Sequence, residues 1–247
     1  MSGTMLVTGG SRGIGAAICR LAAERGYDIC VNYAGNHAAA QEVVAAVQVL
    51  GRKAVAVQAD LARPEEIAPL FEAAAELGPL TALVNNAGIT GRIGRLDAVD
   101  PEIIRKTVDL NLTGAVLAAR EAVLRMSTRH GGGGGGIVNI SSVASALGSP
   151  GEYTWYAGTK GAIDSFTIGL AKEVAGEGIR VNAVAPGIIE TEIHAAGGNP
   201  DRIAQTAPSV PLGRAGTPQE IAQAVLWLLS EEASYVTGAV LRAAGGR

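Results

Sequence analysis

Met5-Leu6-Val7-Thr8-Gly9-Gly10-Ser11-Arg12-Gly13-Ile14-Gly15 begins as an apolar run, passes through a glycine-rich turn and enters a segment with apolar residues at Ile14, Ile18, Leu21 and Ala22. A short apolar run ending in glycines fits a strand buried on both faces. The spacing that follows is helical, and Gly26 stops it. Glycines between a strand and a helix allow a tight turn and close approach of backbone to a pyrophosphate. The helix start supplies unpaired N–H groups and the positive end of its dipole. The spacing here is G-x-x-x-G-x-G rather than G-x-G-x-x-G. A glycine-rich turn alone is often only a turn. In this context it reads as a nucleotide cradle built from Gly9, Ser11, Arg12, Gly13, Ile14 and Gly15.

The same alternation continues outward from this unit. Strands are expected at 28–33, 54–59, 80–85, 137–140, 179–184 and 239–242, and helices at 38–50, 65–77, 100–129, 153–177 and 217–230. Asp100-Pro101 is an N-cap followed by Pro at the first helical position, and Thr217-Pro218-Gln219-Glu220 is a capping box. The run Gly131–Gly136 reads as a flexible surface loop. On the helix 153–177, Ile163, Phe166, Leu170 and Val174 form the expected buried stripe. Strand–helix alternation throughout predicts parallel pairing through right-handed crossovers, hence an α/β, doubly wound sheet of about seven strands with helices on both faces. With no linker or repeat boundary, residues 1–247 are expected to form one domain.

Composition narrows the class. The 247 residues are 48% apolar, enough for a large core, and the formal net charge of −3 with dispersed basic residues lacks the cationic footprint of a nucleic-acid binder. Cys19 and Cys30 have neither CxxC nor Cys/His spacing and read as reduced core residues. Met1-Ser2-Gly3-Thr4 has no signal-peptide pattern, and no apolar run approaches membrane-spanning length. A soluble, cytoplasmic protein without a membrane partner is expected. His37, His130 and His194 are isolated, so no metal site is expected.

A second constellation carries chemistry. Tyr156 and Lys160, in Tyr156-Ala157-Gly158-Thr159-Lys160, lie one turn apart on one helix face. A neighbouring ammonium favours phenolate and lowers a tyrosine pKa, which suits it to acid–base work. Tyr153 competes for this role, but its i+4 residue is Ala157. Ser141 and Ser142 end the strand before this helix and point to opposite sides of it. At the end of the second strand, Val31-Asn32-Tyr33 contains no carboxylate for a ribose. With Arg12 in the glycine-rich turn, that favours NADP(H) over NAD(H).

Thr8-xxx-Arg12-Gly13-x-Gly15, Asn85-Asn86-Ala87-Gly88, Asn111, Asn139-Ile140-Ser141-Ser142, Tyr156-xxx-Lys160 and Pro186-Gly187 occur in that order. Together they resemble the short-chain dehydrogenase/reductase family of the compact type over essentially the whole chain. Within it, the chain resembles bacterial 3-oxoacyl-ACP reductases and glucose- or ribitol-dehydrogenase-like oxidoreductases. The resemblance implies a Rossmann-type fold, a homotetramer, and hydride transfer between a nicotinamide cofactor and a small carbonyl or alcohol (CH–OH) substrate. It implies a tetrad of Asn111, Ser142, Tyr156 and Lys160. Ser142 would hydrogen-bond the substrate oxygen, Tyr156 would pass the proton, Lys160 would lower the tyrosine pKa, and Asn111 would kink its helix and anchor a water. It further implies cofactor contacts from Asn32, Asp60, Leu61, Asn86, Ala87, Gly88, Pro186, Gly187, Ile189 and Thr191.

The chain departs from the family pattern in two places. The loop between Ser142 and Tyr156 is one residue longer than in most relatives, and Ala243-Ala244-Gly245-Gly246 replaces the usual C-terminal Val-Asp-Gly-Gly. The loop 143–155, the segment Glu190–Arg214 as a mobile flap, and Glu152, Trp155, Glu190, His194 and Thr90–Arg95 are expected at the substrate pocket. Two other classes stay open: a 3-oxoacyl-ACP reductase, and a nucleotide-binding regulatory protein without turnover. An α/β methyltransferase is disfavoured by the arginine in the glycine-rich turn.

Overall fold

A computed structural model describes residues 3–247. Met1 and Ser2, read above as a lead-in without a leader, lie outside the described residues. The strands are β1 (Thr4–Val7), β2 (Asp28–Tyr33), β3 (Ala54–Gln58), β4 (Leu80–Asn85), β5 (Gly135–Ile140), β6 (Ile179–Pro186) and β7 (Val240–Ala243). They form one parallel sheet in the order β3-β2-β1-β4-β5-β6-β7. The doubly wound expectation is met. Between them run α1 (Gly13–Glu24), α2 (His37–Val49), α3 (Ile67–Ala75), α4 (Pro101–Val108), α5 (Ala115–Met126), α6 (Ala144–Leu147), α7 (Thr154–Val174), α8 (Ile193–Ala196), α9 (Arg202–Thr206) and α10 (Pro218–Leu229).

The period of two along each strand divides the core. Met5 and Val7 join one cluster with Ile18 of α1, Val43 of α2 and Val225 of α10. Leu6 joins the other, with Phe71 of α3, Ala122 of α5 and Ala171 of α7. Helices therefore cover both faces, which is why the strands are apolar without a polar side. Cys19 and Cys30 are buried and free, in opposite clusters, so the sheet separates them.

Three expectations are corrected. The helix 100–129 is not continuous: a π turn, Asp109–Gly114, separates α4 from α5, and α5 ends at Met126. The interruption coincides with Asn111, whose amide leaves the helix to bond Ile89 (below), a cause of bending beyond generic flexibility. Gly131–Gly136 is not a loose loop, since Gly135 and Gly136 belong to β5. A Cβ on Gly135 would lie 2.5 Å from Thr81 O, one on Gly136 2.7 Å from Leu229, and Gly134 has φ +81° against Gly178. On α7, Ile163 and Val174 are buried, but Phe166 and Leu170 are only half-buried; Thr167 and Ala171 complete the inward stripe.

Among the described residues, no helix is long and apolar enough to cross a membrane.

Candidate active site

The order of strands reverses at β1, whose neighbours are β2 and β4. A crevice opens at the carboxyl ends of strands around such a point. Here it is a cavity of about 1030 Å³ lined from Gly9 through Tyr156 and Lys160 to Arg247.

The glycine-rich turn forms one end. Gly9 and Gly13 have φ +61° and +51°, a region that disfavours side chains. A Cβ on Gly9 would lie 3.0 Å from Ala87 Cα, and one on Gly13 3.2 Å from the Thr191 side chain. The α1 N-cap, Arg12, makes no side-chain cap bond, and the first turn carries no acid. The start of this helix is thus open to the cavity at Gly13 and Ile14. Thr8 holds the turn in place: its hydroxyl accepts from the N–H groups of Asn86 (2.9 Å) and Ala87 (3.0 Å). Its TxxxR spacing was part of the family pattern, but no such role was read from it.

Gly9, Ser11, Arg12, Gly13, Ile14, Asn32, Asp60, Leu61, Asn86, Ala87, Gly88, Pro186, Gly187, Ile189 and Thr191 all line the cavity, as do Ser142, Tyr156 and Lys160. Gly15 and Asn111 do not. Gly15 is a packing residue, because a Cβ there would lie 2.7 Å from Asn86 Nδ2 and 3.0 Å from Gly10 Cα. Asn32 and Asn86 reach the cavity wall with their amides already committed. Asn32 Oδ1 accepts from Gly9 N at 3.1 Å and its Nδ2 donates to Ala59 O at 3.0 Å. Asn86 Nδ2 donates to Thr8 O at 2.8 Å and Gly9 O at 3.0 Å. Both side chains therefore shape the turn. Asp60 Oδ1 accepts from Ala62 N at 3.0 Å, a local turn rather than a helix cap.

Tyr33, Ala34, Gly35 and Asn36 also line the cavity after β2, and none is acidic. The sequence reading stopped at Tyr33 and did not assign them. Arg12 is two-thirds exposed and faces Glu192 at 3.7 Å, a weak surface pair.

At the other end, α7 carries Tyr156 and Lys160, both buried. Burial pushes the Tyr156 phenol up to about 12, opposed by a hydrogen bond from Ser142 and reinforced by Tyr153. Burial likewise brings Lys160 down to about 8, with Asp164 acting the other way. Lys160 Nζ donates to Ile140 O at 2.7 Å and stands 5.7 Å from the Tyr156 ring centre.

Both serines follow the end of β5 and line the cavity, but their hydroxyls bond differently. Ser141 is buried and its hydroxyl donates to Lys160 O at 3.3 Å, whereas Ser142 accepts from Ala144 N at 3.1 Å beside the phenol. Asn111 is buried in the π turn. Its Oδ1 accepts from Ile89 N at 2.9 Å and its Nδ2 donates to Ile89 O at 2.8 Å. A Cβ on Gly88 would lie 3.2 Å from Asn111 Oδ1 and 3.6 Å from Lys160 Nζ, which sets the asparagine next to the lysine.

The expected substrate-pocket residues divide too. Thr90, Gly91, Arg92, Glu152 and His194 line the cavity; Trp155, Glu190 and 93–95 do not. Trp155 is buried behind the wall, its indole donating to Thr90 O at 3.0 Å. The longer loop after Ser142 folds into α6 and a tight turn. That turn contains Gly148 (φ +71°), Ser149 (φ +47°) and Gly151 (φ +75°), and Ser149 is the only non-glycine at positive φ among the described residues. Val143, Leu147 and Tyr153, from the loop 143–155, and Arg202, from the segment Glu190–Arg214, line the cavity as well.

The family described as enoyl-(acyl carrier protein) reductase matches residues 9–247. The Escherichia coli (strain K12) oxidoreductase YgfF is 51% identical over 243 residues, covering 98% of both chains. The 3-oxoacyl-[acyl-carrier-protein] reductase FabG of Staphylococcus aureus (strain Mu50) is 38% identical over 247 residues, covering 100% of this chain and 98% of that one. Among solved structures, a blue fluorescent protein from a metagenomic library, in complex with NADPH, superposes with a TM-score of 0.90 at 36% identity, over 98% of this chain and 96% of that one. An intact parallel sheet, an open helix start and a buried Tyr–Lys pair in one cavity agree with these matches, and the chain belongs to the short-chain dehydrogenase/reductase family of oxidoreductases, which transfer hydride between alcohol or carbonyl groups and a nicotinamide cofactor.

Proposed function

We propose that the protein is an NADP(H)-dependent reductase of small carbonyl compounds, with Ser142, Tyr156, Lys160 and Asn111 as its working residues. The observation that carries this reading is that the uncapped start of α1 and the Ser142–Tyr156–Lys160 group line one cavity. The cavity's features fit the cofactor: two positive-φ glycines that leave room for a diphosphate, an open helix N-terminus, and a β2 end without a carboxylate. Gly9 to Ile14 would hold the diphosphate with Thr191 beside Gly13, Arg12 the 2′-phosphate, and Gly88 and Lys160 the nicotinamide ribose. When bound, the nicotinamide supplies or accepts the hydride.

The protein's own residues handle the proton and the charge. Ser142 and Tyr156 both line the cavity, and their hydroxyls would meet a carbonyl oxygen that gains negative charge during reduction, where fixed donors are the largest catalytic contribution. A phenol held near 12 is fully protonated at neutral pH, the form needed to donate. Lys160 stabilises the phenolate left behind for as long as it is charged. Asn111 fixes Ile89 on both sides of its peptide, which holds the neighbouring Gly88 against Lys160. Because Lys160 titrates near 8, the reduction rate should fall as pH rises through about 8, while Tyr156 stays protonated across that range. A rate independent of pH from 6 to 10 would overturn the part given to Lys160.

The substrate reading rests on mixed polarity: Glu152, His194 and Thr90 line the cavity together with Val143, Leu147 and Ile193. This suits a ketone, an oxo-ester or a sugar. The test is NADPH consumption across 2,3-butanedione, ethyl 3-oxobutanoate and an acyl-carrier 3-oxoacyl thioester, with NADP⁺ reduction on glucose and ribitol. Tyr156→Phe should lose about 100-fold or more of any activity found. Undiminished turnover in that variant would sink the mechanism. A second reading, a 3-oxoacyl-ACP reductase, is favoured by the 38% identity to the Staphylococcus protein; the thioester arm distinguishes it.

We further infer one cytoplasmic domain that assembles as a homotetramer. The half-exposed Leu124 of α5 and Ile168 of α7 support the assembly, and light scattering at micromolar concentration checks it.

A further inference from the structure

The segment between β6 and α10 puts a charged side chain where none is expected. Arg202, on α9, is only 5% exposed. Its guanidinium makes a two-pronged pair with Glu152, at 2.5 Å and 2.7 Å, the planar fork-to-fork geometry that suits arginine. The same guanidinium lies over the Tyr153 ring, 5.1 Å from its centre. Tyr153 in turn meets the Tyr156 ring edge-on, with centres 5.3 Å apart and planes at 83°. Arg202 thus ends a continuous stack that leads to the buried phenol.

Backbone contacts join the same three segments. Gly94 N donates to Glu152 O at 2.7 Å, and Ile93 N donates to Gly197 O at 3.0 Å. Gly197 cannot carry a side chain without crowding Thr90, whose hydroxyl would lie 2.9 Å from a Cβ there. The loop that needs this support is the one with the added residue and the left-handed Ser149, immediately ahead of Glu152. A buried arginine with one partner removed leaves an uncompensated charge, so the pair holds only as a unit.

We infer that Arg202 is a positioning residue for Tyr156: its pair with Glu152 and its stacking on Tyr153 fasten the α8–α9 segment to the loop before α7 and fix the phenol's orientation. The inference rests on the reading of Tyr156 as the proton-transfer residue. The hydrogen bonds and ring stacking of Arg202 go to Glu152 and Tyr153 rather than to residues 9–14, so its role separates from cofactor binding.

The test uses full-length protein carrying Arg202→Gln, Arg202→Lys or Glu152→Gln, the last leaving the buried arginine in place should its removal impair folding. On the best carbonyl substrate of the panel above, kcat should fall about 10- to 100-fold in each, as expected when a reacting group is displaced by a fraction of an ångström. Arg202→Lys should not rescue, since an ammonium keeps the charge but not the fork. The NADPH dissociation constant from fluorescence titration should stay within twofold. Amide hydrogen exchange should accelerate in residues 148–156 and 193–206 and stay unchanged in residues 9–16. Unchanged kcat and unchanged exchange in these variants, alongside a Tyr156→Phe enzyme that is inactive, would overturn the inference and leave the chemistry standing. A fully active Tyr156→Phe enzyme would overturn both. A kcat loss matched by an equal loss of NADPH affinity would also overturn it, since that outcome marks general unfolding of the cleft.

Discussion

Helices α1 and α10 are both twelve residues long and pack on the same face of the sheet, yet their starts are built in opposite ways. At α10, Thr217 accepts from Glu220 N at 3.3 Å, Glu220 accepts from Thr217 N at 2.8 Å, and Pro218 fills a position that needs no donor. Arg214 adds a 2.6 Å pair to the same carboxylate. At α1 the capping position is Arg12, whose side chain bonds nothing in the helix, and the first turn has no acid. Leaving a cap unmade costs ~1 kcal/mol. The difference teaches how to tell a structural helix start from a binding one. Where a cap is missing, glycines occupy positive φ, and the start opens on a cavity, the donors are held for a ligand.

The comparison breaks most sharply if α1 is given what α10 has. Ser11→Asp places a carboxylate at the open start, facing the cavity. Its repulsion with a phosphate at ~4 Å is worth up to about 4 kcal/mol at an effective dielectric of 20, and screening reduces that. NADPH affinity should drop about 100-fold. The same charge interacts favourably with the helix dipole, by ~0.3–1 kcal/mol. The melting temperature without cofactor should therefore hold or rise as binding is lost. Equal losses of stability and binding would show that the open start of α1 is an ordinary fold element.

A smaller change separates the two nicotinamide cofactors. Arg12 is exposed and its pairing with Glu192 at 3.7 Å is loose, so it is free to meet a phosphate. Arg12→Ala should cut kcat/KM for NADPH about tenfold, ~1.4 kcal/mol, and leave NADH use nearly unchanged. If both cofactors lose equally, or if the wild-type enzyme uses NADH as well as NADPH, the preference lies elsewhere, and Tyr33 to Asn36 become the next residues to change.

Much of this was legible before any coordinates. The parallel, doubly wound sheet follows from apolar runs alternating with helical periods, and the Tyr156–Lys160 spacing put both side chains on one helix face because i and i+4 are neighbours on any helix. What was not legible depends on distances across the fold. Asn32 and Asn86 line the cavity as expected of ligand contacts, but that Asn32 Oδ1 also bonds Gly9 and Asn86 Nδ2 bonds Thr8 is carried by the approach of β2 and β4 to one turn. The glycine run 131–136 looked like low complexity, and only the closeness of Thr81, Leu229 and Gly178 shows why three of its positions are crowded. The raised Tyr156 pKa comes chiefly from burial, and burial is a property of the packed chain rather than of spacing. Arg202 lies 46 positions after Tyr156 with no pattern between them; its pairing with Glu152 exists only once both loops are in place.

The mirror substitution has the smallest expected effect and the clearest sign. Thr217→Ala removes the side-chain acceptor for Glu220 N and half of the capping box, leaving Pro218 and the Arg214 pair in place. The loss should be ~1 kcal/mol of stability, or about 2–4 °C in melting temperature for a chain of this size. Arg214 and the Thr217 N–H hold the Glu220 carboxyl down to about 2. A carboxylate with a depressed folded pKa keeps its contribution above its unfolded value and loses it only as pH falls toward the folded one. The deficit of Thr217→Ala should therefore be the same at pH 6 and pH 8. NADPH affinity should not change at either pH, because α10 begins outside the cavity that α1 opens into. A change in cofactor affinity without a change in stability would reverse the assignment of the two helix starts, and with it the rule that an absent cap marks the binding end.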